Sequence, residues 1–352
     1  MQIAVIDADL IGRSKHNFPN LTCMKISGYF KNNGANVILK TDYDNLQDFD
    51  KVFIAKVFSD TPFPTDGLFG NILDLPNVEF GGTGFDFTKN KILPTEIEHA
   101  MPDYHLYDGF CDGKYYTDYS IGFLTRGCFR HCPFCVNKNS NKVVAHSPLA
   151  EFLDTSRPKI CLLDDNFFGF KDWKISLLEL IGTNKYFVFK QGLDVRLLDD
   201  ARADLLFNSK YDGDFIFAFD DVKDSPVIEQ KLKLIRRYTN KRVKFYVLCG
   251  YDRAGLYDEN FWKIDLQNTF ARIALLKEYD ALPYIMRHKN YNLSPFRGMY
   301  ITIAEYCNIP ALFLKMSFED FCHSDISRKS RIRYLNFWKK NNPAFSAGEI
   351  LS

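Results

Sequence analysis

Short apolar runs rich in β-branched and aromatic residues recur along this chain, and a stretch with helical spacing follows most of them. In the first third, residues 2–6, 37–39, 51–54 and 78–80 read as strands, with a helix near 21–31 that Gly34 ends. Pro19 and Asn20 suit the turn that starts this helix. Further along, residues 121–124, 160–163, 186–189, 215–219, 243–248 and 283–286 read as strands. Residues 147–152, 173–181, 199–207, 227–238 and 270–277 carry helical patterns between or after them. Parallel strands need long crossovers, so this alternation predicts an α/β fold with parallel sheets. The expected organisation is a small doubly wound, Rossmann-like domain over 1–115, a run of βα units over 116–290 and a helical extension over 291–352. Residues 93–118, with Pro94, Pro102, Gly109 and Gly113, read as a connector.

Composition changes this picture little. A length of 352 residues is ample for a buried core, and a net charge of +1 gives no global pull toward nucleic acid. No apolar run approaches the roughly 20 residues needed to span a bilayer. The start of the chain reads as a first strand, not a leader peptide, and nine cysteines is an odd number. Together these predict reduced thiols and a cytoplasmic protein.

The chemistry concentrates in one loop. Cys128, Cys132 and Cys135 are spaced C-x3-C-x2-C just after the strand expected at 121–124, with Phe134 before the last cysteine. Three thiolates hold three irons of a [4Fe–4S] cube and leave the fourth iron open. Structural zinc is the competing reading and needs four closed ligands. His131 is the candidate fourth, but it adjoins Cys132, and neighbouring side chains rarely converge on one ion.

This spacing resembles the signature of the radical S-adenosylmethionine (radical SAM) superfamily. The resemblance implies an open (β/α)6 TIM-like barrel, matching the count of six expected strands, with the cysteines at the C-terminal end of the first. It also implies that the open iron binds SAM, whose reductive cleavage yields a 5′-deoxyadenosyl radical. An electron donor such as flavodoxin or ferredoxin is then expected. Strand ends supply candidates for holding SAM. Asp164 and Asp165 occupy the place where many family members carry Gly-Gly-Glu, although the motif differs. Gln191, Asp194 and Arg196 follow the third strand, Asp220 the fourth and Gly250 the fifth, where the family often has a glycine near adenine. For Asp194 and Arg196, a salt bridge closing a βα turn is the equal alternative.

Asp7-Ala-Asp9-Leu-Ile-Gly12 and Gly81-Gly-Thr-Gly84 resemble the motifs of cobalamin-binding domains. Asp9 stands where the usual cobalt-ligating histidine lies, and radical SAM enzymes that use cobalamin often lack that histidine too. The resemblance therefore implies a cobalamin-binding-like domain in which bound cobalamin is possible but not expected. Methylthiotransferases are a poor match, because the N-terminal region offers only Cys23 and Cys111. The expected function is a radical SAM enzyme acting on an unidentified substrate. The alternative within that chemistry is a cobalamin-dependent methyltransferase. The alternative of another class is a zinc- or cluster-bearing nucleic-acid-binding protein using Arg328, Lys329, Arg331, Arg333, Lys339 and Lys340.

Overall fold

The computed structural model describes residues 1–64, 71–85, 93–111, 113–137, 140–324 and 329–343. Contacts divide the chain into two compact units, one of residues 1–124, 145–163 and 185–187, the other of residues 125–144, 164–184 and 188–352.

The first unit opens with β1 (Gln2–Asp7), α1 (Ala8–Gly12), α2 (Leu21–Asn32), β2 (Asn36–Lys40), β3 (Lys51–Ala55) and β4 (Val78–Gly81). These strands form a parallel sheet in the order β2-β1-β3-β4. Alternate side chains of β1 point to opposite faces, so Ile3 and Val5 enter one apolar core while Ala4 and Ile6 enter the other. All four are fully buried, as expected of a central strand covered on both faces. The Asn20 side chain accepts hydrogen bonds from the N–H groups of Thr22 and Cys23 and so caps α2.

Next come α3 (Thr95–Glu98), α4 (Lys114–Thr117), β5 (Tyr119–Gly122), β6 (Thr125–Arg126), β7 (Val144–Ala145) and β8 (Lys159–Leu162). The connector expected at 93–118 is instead core: Tyr104, Leu106, Tyr107, Cys111 and Tyr116 pack into the cluster that includes Ile3 and Val5. Pro and Gly marked the irregular backbone correctly, but aromatic side chains anchor it. Buried Arg157 stitches this segment together. Its guanidinium lies 4.4 Å above the Tyr104 ring and donates to the carbonyls of Tyr104 (3.1 Å), Tyr119 (3.3 Å) and Tyr116.

The remaining elements are α5 (Trp173–Gly182), β9 (Tyr186–Phe189), α6 (Asp200–Phe207), β10 (Phe215–Ala218), α7 (Ser225–Tyr238), β11 (Val243–Cys249), α8 (Glu259–Glu278) and β12 (Leu282–Arg287). β5, β8 and β9 form one sheet, and β10, β11 and β12 another in parallel register. A single bridge from Leu193 to Phe217 connects the chain after β9 to β10. Helices α9 (Arg297–Cys307), α10 (Pro310–Lys315), α11 (Phe318–His323) and α12 (Lys329–Asn341) follow. The pattern at 147–152 forms only a 3₁₀ turn, Leu149–Glu151. Helix α8 is far longer than the pattern at 270–277, and it carries buried Thr269 and Arg272 within its apolar face. Among the described residues, no helix is long and apolar enough to cross a membrane.

Arg157→Ala leaves several buried carbonyls without their donor and is expected to cost about 3 kcal/mol. Urea unfolding of the full chain checks this; a loss below about 1 kcal/mol contradicts the assigned role.

Candidate metal centre

Cys128, Cys132 and Cys135 are half-buried, whereas the other six cysteines are buried. This contrast separates thiols that a metal can reach from inert core thiols. The loop is preformed. Cys135 N–H donates to the Cys132 carbonyl at 2.9 Å, and Gly127 and His131 adopt positive φ values of 97° and 49°. Gly127 is required on two counts, since a Cβ there would also strike Ser140 and the Lys142 carbonyl. The Cys128 sulfur lies 3.5 Å from Arg130 N–H and 3.4 Å from Asn166 Nδ2, and the Cys135 sulfur lies 3.4 Å from Asn137 N–H.

The end of β8 holds this loop in place. Asp164, which is 2 % exposed, accepts through Oδ1 from Thr125 N–H (2.7 Å) and the Thr125 hydroxyl (2.6 Å). Asp165 accepts from Gly127 N–H at 2.8 Å. Both carboxylates named as SAM candidates thus secure the backbone before Cys128. The following Asn166 buries its Oδ1 without a hydrogen-bond partner.

A second set of ties runs from inside the loop. Arg130 donates from Nε to Asp194 at 2.6 Å; Asp194 also receives Arg196 Nε at 2.8 Å, and Arg196 reaches Asp224 at 2.9 Å. Asp194 caps the turn Val195–Leu197 by accepting from Arg196 N–H. The two residues therefore form the turn-closing salt bridge, enlarged by Arg130 into a network of four charges. Arg196 and Asp220 also act electrostatically on Cys132: burial and the Asp220 carboxylate push its thiol up, Arg196 pulls it down, and Cys135 and Cys128 add to the rise.

Other candidates lie at neighbouring strand ends of the same unit. Gln191 is exposed after β9. Asp220 is half-buried after β10; desolvation pushes its carboxyl up against the opposing pull of Leu248 N–H, Arg272 and Arg196. Gly250 follows β11 with φ 76° and donates its N–H to Asp265 at 2.8 Å. Phe134 meets the Tyr251 ring edge-on at 5.8 Å, and Tyr251 meets His288 at 5.0 Å. Buried Arg272 donates to the carbonyls of Phe219 (3.0 Å), Asp220 (3.0 Å) and Leu248 (2.9 Å), fixing the ends of β10 and β11.

Among the described residues, no group of three His, Cys, Asp or Glu side chains is gathered closely enough to hold a metal ion. The donor set nevertheless fits a cluster: three accessible thiols share one loop, with N–H groups directed at sulfur. Drawing thiolates together against their repulsion is work that metal binding performs. His131, the fourth ligand a zinc site would need, is exposed.

In the first unit, Asp9 is fully buried and accepts from Val57 N–H (2.6 Å), Phe58 N–H (3.4 Å) and the Thr61 hydroxyl. Gly82 has φ 109°, and a Cβ there would strike the Lys56 carbonyl. Asp9, at the position of the usual histidine, is thus engaged in holding the protein's own loop 57–61. In the basic C-terminal segment, Arg331 pairs with Glu305 at 2.9 Å and Lys339 with Glu319 at 2.8 Å, while Arg328 lies outside the described residues.

No protein-family model and no curated protein sequence matches this chain. Among solved structures, it is similar to the radical S-adenosylmethionine methyltransferase TsrM from Kitasatospora setae, solved with cobalamin and a [4Fe-4S] cluster. The TM-score is 0.52 at 11% identity, over 81% of this chain and 72% of that one. The cobalamin-dependent S-adenosylmethionine radical enzyme OxsB, solved with aqua-cobalamin and S-adenosylmethionine, aligns with a TM-score of 0.42 at 11% identity, over 81% of this chain and 49% of that one. This chain shares the α/β fold of a radical SAM methyltransferase, so the resemblance first seen in the cysteine spacing extends to the fold.

Asp164→Ala is expected to destabilise the chain by about 2–3 kcal/mol, because it removes a buried charged acceptor from two donors. Asp165→Ala, at an exposed position, is expected to cost less than about 1 kcal/mol. Equal losses in chemical denaturation would show that Asp164 has no special part in holding the loop.

Proposed function

We propose that this chain is a radical SAM enzyme acting on an unidentified cytoplasmic substrate. The observation that carries the reading is the loop of three accessible cysteines, pinned by the end of β8, in a chain with this fold. On this reading the six parallel strands curve into a partial (β/α)6 barrel over 116–290, after an N-terminal domain over 1–115 and before a helical extension over 291–352. A [4Fe–4S] cluster on Cys128, Cys132 and Cys135 would supply the electron that cleaves SAM into methionine and a 5′-deoxyadenosyl radical, with flavodoxin or ferredoxin as electron donor.

The chain's own residues do the positioning. Asp164 and Asp165 fix the backbone that presents Cys128, and Arg130 ties the middle of the loop to Asp194. The N–H groups of Arg130 and Asn137 and the Asn166 side-chain amide lie within 3.5 Å of the Cys128 and Cys135 sulfurs and orient them. Gln191, Asp194, Arg196, Asp220, Gly250 and Phe134 are our candidates for orienting SAM. Asp194 and Arg196 would act from within their network, which already engages both Asp194 oxygens and the Nε and both terminal nitrogens of Arg196.

The likeness to TsrM favours a second reading, cobalamin-dependent methyl transfer. The two readings diverge in their products. After anaerobic reconstitution with iron and sulfide, the first predicts 5′-deoxyadenosine from SAM and a strong reductant. The second predicts S-adenosylhomocysteine and saturable hydroxocobalamin binding. Mass spectrometry of the products, with iron analysis, separates them. Cys132→Ala is expected to lose most cluster iron and all SAM cleavage. A colourless protein carrying one zinc would refute both.

A further inference from the structure

The four-stranded sheet of the first unit has a switch point between β1 and β3. From β1 the chain steps to β2 on one side, then crosses back to β3 on the other. In open α/β sheets, the loops at the C-terminal ends of the two strands diverge there and leave a crevice. Here that crevice is a cavity of about 510 Å³. Arg13, Lys15, His16 and Asn17 line it from the loop after β1 and α1, with Phe58 and Asp60 from the loop after β3.

Its walls are anchored from below. Buried Asp7 caps α1, accepts the Tyr107 hydroxyl at 2.8 Å and lies 4.0 Å from His16 Nε2. Buried Asp9 holds the Val57–Thr61 backbone, which sets Phe58 on the rim. The two acidic side chains are spent on architecture, so the lining itself carries a surplus of positive charge. Arg13 pairs with exposed Asp60 at 2.9 Å and places its guanidinium 4.4 Å above the Phe58 ring. Lys15 is exposed and makes no ion pair among the described residues. Phe58 remains 42 % exposed beside these cations.

We propose that this cavity binds a nucleoside phosphate, with the phosphate on Arg13 and Lys15 and the base stacked against Phe58. The guanidinium uses one N–H on Asp60 and keeps others for a phosphate oxygen, a geometry that Arg serves well and Lys supplements as a point charge. A flat, exposed ring beside those cations matches a base, because stacking tolerates any base identity. The cavity volume lies in the range typical of small-ligand sites. None of these residues belongs to the cysteine loop, so binding here does not depend on the radical reading.

Titration calorimetry on the full-length reconstituted protein, without SAM, tests the site. The probes are GMP, AMP, CMP, UMP, guanosine, inorganic phosphate, a short single-stranded RNA and hydroxocobalamin. Saturable binding of the mononucleotides is expected, weakened about tenfold or more in Arg13→Ala/Lys15→Ala. Phe58→Ala is expected to weaken nucleotides but not inorganic phosphate. Lys15→Ala alone should retain the wild-type melting temperature, which separates lost binding from lost folding. RNA binding at least tenfold tighter than the best mononucleotide would identify a nucleotide within a polymer as the source, and equal affinity a free nucleotide. Identical affinities in the wild type and the double variant, or binding of hydroxocobalamin alone, would overturn the proposal.

Discussion

Everything at the candidate metal centre depends on how the end of one strand holds a loop it does not belong to. The loop from Thr125 to Cys135 has little regular structure of its own. Its approach is fixed because Asp164, buried after β8, takes both the backbone and the hydroxyl hydrogen of Thr125. A buried carboxylate satisfied by two donors resists movement, since releasing either donor leaves charge without compensation. Asp165 then fixes Gly127, and Arg130 fastens the middle of the loop to Asp194. Three short, charge-assisted contacts thus do what a longer secondary element would do elsewhere.

Much of the fold was legible because the strands alternate with helices and end in Gly, Asp or Asn. Strands β1 to β4 and β10 to β12 fall on runs that the sequence displays openly. What escaped was long-range. Arg157 gathers carbonyls from a segment that reads as a connector, and Arg272 sits in the apolar stripe of α8 to serve the ends of two strands. A polar residue inside an apolar pattern looks like noise until its partners, tens of positions away, are in view. The cysteines were legible for the opposite reason, because their grouping is local. Arg130 and Asn166 were not, although both touch the loop, since nothing in their immediate sequence announces a distant partner.

The two units use acidic residues in the same way. In the first, Asp7 and Asp9 follow β1 and turn inward to cap a helix and hold a loop. In the second, Asp164 follows β8 and does the same for the cysteine loop. A carboxylate directly after a parallel strand is well placed for this, because the next loop's N–H groups lie within reach as the chain turns. Acidic residues at strand ends therefore carry two meanings, ligand contact or loop anchorage. Burial does not by itself tell them apart: Asp9 and Asp164 anchor from covered positions, whereas Asp165 anchors Gly127 from an exposed one.

The uneven burial of the nine thiols has a further consequence for how this protein ages in air. Oxygen and peroxide attack thiolates they can reach, and six of the sulfurs lie in the apolar interior. Damage is therefore confined to one loop, where sulfenic acid or a mispaired disulfide would disable the site while leaving both cores intact. An oxidised molecule would keep its shape and lose only its chemistry. Such molecules would be hard to distinguish by folding alone, and a cell would have to repair the loop or replace the whole chain.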